Sequence, residues 1–136
     1  MSRAVVALFA VFLALPGCAT GPQLTLEQVP THSVIASEKS SVMDAVRMFA
    51  IKEDFRITSF EEETGRIIGF RNVILSRQNE TRRIIMHLTI VPAPGNQCEL
   101  TARFVFGDSQ VSRTKEEENI LVGCYTSLFD HLGVRP

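Results

Sequence analysis

The chain has 136 residues, with 14 Lys and Arg against 15 Asp and Glu and a net charge of −1. That near-balance excludes the positive field that non-specific nucleic-acid binding needs. A 45% hydrophobic content fits one ordinary globular domain.

Residues 1–19 read MSRAVVALFAVFLALPGCA. Arg3 supplies a short positive region, and residues 4–15 form an unbroken apolar run of about 12 residues, too short for the ~20 of a spanning helix. It has no polar face, so it is not a core helix either. The layout is that of a secretion leader with a small-residue cleavage approach. Leu15-Pro16-Gly17-Cys18 resembles the lipobox of bacterial lipoproteins. That resemblance implies removal of residues 1–17 and acylation of Cys18 on its sulfur and on its new amino group; the rival reading is a plain secretory leader cut nearby. Two or more acyl chains hold a protein stably on a bilayer, where one does not. Ala19 stands where family members retained in the inner membrane carry Asp, so the resemblance implies the periplasmic face of the outer membrane. Residues 18–32 contain Gly21, Pro22 and Pro30 and read as a flexible tether to a domain over 33–136.

The domain opens with a short strand at 33–37. Ser40 or Ser41 reads as an N-cap, with Asp44 three residues after Ser41 in the place of a capping-box acid, and Val42, Ala45, Val46, Phe49 and Ala50 recur at helical spacing, which predicts a helix over 41–53. Strands are expected at 55–60, 66–75, 82–91 and 98–106, with turns at Gly65, at 77–81 and at Pro92-Ala93-Pro94-Gly95-Asn96. Residues 82–91 alternate cleanly, with Ile84, Met86, Leu88 and Ile90 on one face. Residues 66–75 put apolar groups on both faces, so that strand is doubly buried or bulged. A break at 107–112 precedes a last helix over 115–132, which begins at the acidic run Glu116-Glu117-Glu118, favoured by the helix dipole. Both this run and Glu61-Glu62-Glu63 are expected as solvated surface. Gly123 within the helix suggests close packing on the sheet. Short connections and two single-stripe helices predict an α+β two-layer sandwich, a four- to five-stranded antiparallel meander with both helices on one face.

No catalytic constellation emerges. His32, His87 and His131 lack metal-ligand spacing, and no cofactor motif occurs. Ser112-Arg113-Thr114-Lys115 matches S-x-x-K, but the partner motifs of penicillin-recognising enzymes are missing. Cys98 and Cys124 fall in phase with core faces; they are either bridged, as an oxidising envelope permits, or two buried thiols. Element lengths place them far apart for a bridge, which needs Cα atoms within about 7 Å. The sheet face away from the helices is expected to carry Arg71, Arg83, His87 and Arg103 with β-branched residues. Arginine forks suit carboxylates and phosphates, so this face fits an acidic partner protein or an anionic glycan. The mature part loosely resembles small α+β domains of envelope lipoproteins, which implies non-enzymatic binding or scaffolding. The rivals are a small-ligand carrier or enzyme with a cryptic site on that face, and a structural spacer of the envelope.

Overall fold

In a computed structural model, residues 24–76, 79–107 and 114–134 are described; the leader, Cys18, the start of the tether and most of the 107–112 break lie outside them. The elements are β1 (His32–Ile35), α1 (Lys39–Lys52), β2 (Arg56–Glu61), β3 (Arg66–Leu75), β4 (Glu80–Ala93), β5 (Gln97–Phe106) and α2 (Lys115–His131). Strands β2 to β5 form a continuous antiparallel meander. β1 adds antiparallel to the outer side of β5, giving the order β1-β5-β4-β3-β2. The α+β sandwich expected from the sequence is the fold.

Strand alternation sets the layers. Ile84, Met86, Leu88 and Ile90 on β4 are fully buried, as are Cys98, Leu100 and Phe104 on β5, while Val46 and Phe49 of α1 and Leu121 and Leu128 of α2 complete the same core. The residues between them on β4 and β5 face outward, so both helices cover one face. Because β1 and β2 lie at opposite edges, α1 carries the chain across the covered face.

The helix ends follow from local chemistry. α1 begins two residues before the expected Ser41: its N-cap is Glu38, whose side chain makes no capping bond. It closes with Asp54 in the left-handed region (φ 61), where Asp54 N–H donates to the Ile51 carbonyl and Phe55 N–H to that of Ala50. This double-bonded stop is usually built on Gly. α2 starts on a capping box, Thr114 with Glu117.

Two expectations change here. Residues 24–31, read as part of the tether, lie against the domain: Val29 is buried, and the Thr31 carbonyl accepts from Ala102 N–H at 2.8 Å. The acidic start of α2 is not merely solvated. Glu116 accepts from Ser76 N–H at 2.8 Å, Glu118 from Leu26 N–H at 3.2 Å, and buried Glu117 lies 3.6 Å from the Arg82 guanidinium. Three neighbouring carboxylates thus fasten a loop, the N-terminal segment and a strand to one helix end.

Candidate functional site: the open face of the sheet

The uncovered face is built by the outward column of each strand. Across one row, β5 Arg103 stands opposite β4 His87, which stands opposite β3 Ile68. The next row is Val105, Ile85, Phe70 and Arg56, and beyond it Arg83 faces Asn72. Ile68, Phe70, Ile85 and Val105 make a half-buried apolar centre, ringed by exposed Arg56, Arg66, Arg83, Arg103 and His87. Phe70 organises one side of it. The Arg83 guanidinium lies 4.2 Å from its ring centroid and that of Arg56 5.9 Å. Such cation–π contacts contribute about 0.5–1 kcal/mol each when exposed. They hold the cations over the sheet instead of letting them sweep through solvent.

The acids on this face lie toward its rim. Glu99 sits 3.8 Å from His32, and Glu61 accepts from the Thr64 hydroxyl at 2.8 Å. Arg66 and Arg103 make no ion pair among the described residues. Arg83, His87 and Arg103 therefore occupy the open face as the alternation predicts. Phe70, Asn72 and Arg56 join them without having been picked out; Phe70 was hidden because β3 is apolar on both sides.

Arg71 is a correction. It pairs with fully buried Ile84, and that register places it on the covered face. The inward column of β3 is Ile67, Gly69, Arg71, Val73 and Leu75, and the outward one holds Ile68 and Phe70. Arg71 spans the gap between the helices. Its Nη1 donates to the Glu53 carbonyl at the end of α1 at 3.1 Å and lies 3.7 Å from the Glu53 carboxylate. Its Nη2 lies 3.6 Å from Cys124 Sγ on α2, and the guanidinium stacks 4.9 Å from the Phe55 ring centroid.

The two thiols are also settled by position. Both are free. Cys98 donates to the Ser37 carbonyl at 3.2 Å, beside the end of β1. Cys124 meets Arg71, whose row on the sheet ends at Phe106. Eight residues of β5 separate that row from Cys98, roughly 26 Å along the strand at ~3.3 Å per residue. No bridge spans that distance. Burial pushes the Cys98 thiol up from its ordinary range. It pushes Cys124 up to about 11, against the opposing pull of the Arg71 charge.

Among the described residues no group of three or more His, Cys, Asp or Glu side chains is placed to hold a metal ion. No helix among them is long and apolar enough to cross a membrane. The open face offers cations, an imidazole and an aromatic ring, a set suited to recognising anionic groups.

No family model matches the sequence, and no curated protein is similar to it. Among solved structures, a DUF4468 family protein from Bacteroides ovatus shares 16% identity, with 75% of this chain and 78% of that one covered and a TM-score of 0.29.

Proposed function

We propose that this chain is a non-enzymatic, lipid-anchored lipoprotein of the bacterial envelope whose open sheet face docks an anionic envelope component. The observation that carries the reading is the arrangement of that face. Arg56, Arg66, Arg83 and Arg103 ring an apolar centre that neither helix covers, with Phe70 steering two of the guanidiniums. Arginine pairs bidentately with carboxylate or phosphate, and the apolar centre adds area that a purely charged surface lacks. The lipobox at Leu15–Cys18 supports the anchoring, with Cys18 as the acylated residue.

The test is affinity capture from detergent-solubilised envelopes with the wild-type protein and an Arg83→Glu/Arg103→Glu variant. The proposal expects a specific acidic protein or anionic glycan on the wild type and its loss on the variant. Equal recovery by both, or no specific partner, overturns it. Anchoring is tested separately by Cys18→Ala, which should move the protein to the soluble periplasmic fraction.

A further inference from the structure

The covered side of the sheet holds a second feature, unconnected with the open face. Between α1, α2 and β3 lies a cleft of about 260 Å³. Phe49, Phe55 and Ile120 give it apolar walls, and Arg71, Asn119 and Ser127 bring polar groups into the same space. The volume is just under the ~300–1,000 Å³ of pockets for drug-sized ligands. It suits a small molecule with one polar end.

Arg71 is unusual in this setting. Its side chain is 23% exposed, yet its Nε is buried and has no hydrogen-bond partner among the described residues. Nη1 is occupied by Glu53, through the carbonyl at 3.1 Å and the carboxylate at 3.7 Å. Among the described residues Nη2 has only the Cys124 sulfur at 3.6 Å, a weak acceptor. The Nε and Nη2 edge of the fork is the edge that binds a carboxylate bidentately, and here it is almost unused. Buried polar groups are satisfied in the great majority of cases, so an orphaned guanidinium nitrogen beside a cleft calls for an acceptor.

We propose that this cleft binds a small monocarboxylate, its oxygens on the Nε and Nη2 edge of Arg71 and its apolar body against Phe49 and Phe55. The smallest anionic charge suits the site. Arg71 is already paired with Glu53, so a monocarboxylate leaves one net negative charge in the cleft, whereas a phosphate dianion would leave two beside the Glu53 carboxylate. Gly123 stands on the rim of the cleft, and a Cβ built on it meets nothing within 4 Å. The helix thus leaves the entrance unfilled.

The experiment is a ¹H–¹⁵N NMR titration with benzoate, following the Arg71 Nε–Hε signal and the Gly123 and Cys124 amides. Benzamide, the neutral analogue, and inorganic phosphate are the controls. The inference expects saturable shifts at all three probes with benzoate and none with benzamide or phosphate. It also expects the shifts to vanish in Arg71→Gln. Gly123→Leu, which fills the entrance from an exposed helix position and leaves Arg71 in place, should abolish them as well, so a poorly folded Arg71 variant does not end the test. No saturable shift up to about 10 mM, ten times a Kd of about 1 mM, overturns the inference. So do equal shifts with benzamide, which mark apolar filling alone, equal shifts with phosphate, which mark general anion attraction, or binding retained in Gly123→Leu. None of these outcomes touches the open face, so this inference and the docking proposal stand or fall apart.

Discussion

The phenol of Tyr125 stands edge-on to the ring of Phe104, with centroids 4.9 Å apart and planes at 87°, and its oxygen accepts from the Phe104 backbone N–H at 2.9 Å. β1 pairs with β5 only as far as Thr101, so the outward amide of Phe104 lies past the end of that ladder. Tyr125 takes the place of the missing strand. Tyr125→Phe keeps the ring packing and leaves a buried amide unsatisfied, which costs about 1–3 kcal/mol. Urea denaturation should show a lower midpoint at unchanged slope. Hydrogen exchange should quicken at Phe104 more than at its neighbours.

Two glycines should respond to alanine with opposite signs. Gly65 has φ +71, and a Cβ there would sit 1.9 Å from the Ile90 carbonyl oxygen, while its own carbonyl accepts from Ile90 N–H at 2.8 Å. Gly65→Ala therefore strains the backbone and pries β4 from the turn, and a loss of more than about 2 kcal/mol is expected. Gly123→Ala meets open space in a helix interior and should add about 0.5–1 kcal/mol. Thermal melts of the two variants, run beside the wild type, check both signs.

Cys124 ties stability to alkaline pH. Its thiol is pushed from an ordinary 9.0 to about 11 in the folded chain, chiefly by burial. Below pH ~9 both folded and unfolded thiols are protonated and its contribution to stability is fully present. Between pH ~9 and ~11 the unfolded chain releases this proton and the folded chain keeps it, so stability falls, by roughly 1.4 kcal/mol per pH unit at the steepest. Cys124→Ala should flatten that part of the stability profile, measured by urea unfolding at stepped pH. A profile unchanged by the substitution would show that burial does not hold this thiol protonated.

The fold was legible because its strands announce themselves. β4 and β5 alternate in strict period two, and the bounds of β3 match the expected 66–75. The faces of β3 were not legible. Its inward column contains Gly69 and Arg71, residues that do not look like core, while Ile68 and Phe70 look like core and face out. Gly69 is small because the Arg56 carbonyl oxygen would lie 2.9 Å from its Cβ, a cross-strand constraint invisible in one strand's sequence. Hence Arg71 was assigned to the wrong side, and the interhelical cleft it anchors could not be foreseen. The start of α1 was misplaced for a related reason: the best capping residues, Ser41 and Asp44, lie inside the helix, and its true first residue has no side-chain cap. The open face, by contrast, needed only the alternation of β4 and β5.

Among the described residues, the first strand is an edge strand whose only partner is the last strand. The meander from β2 to β5 assembles from neighbours in sequence, but β1 must wait until residues as distant as Thr101 have taken their places. Such remote pairing carries the largest loop-closure cost and comes late in folding. β1 is also short, four residues against the ten of β5. If the lipid anchor lies just upstream, as proposed, a pull between membrane and domain meets the Leu26–Glu118 bond and buried Val29 first and this late-formed ladder next. Together they would act as the mechanical fuse of the molecule, opening before the meander from β2 to β5 is disturbed.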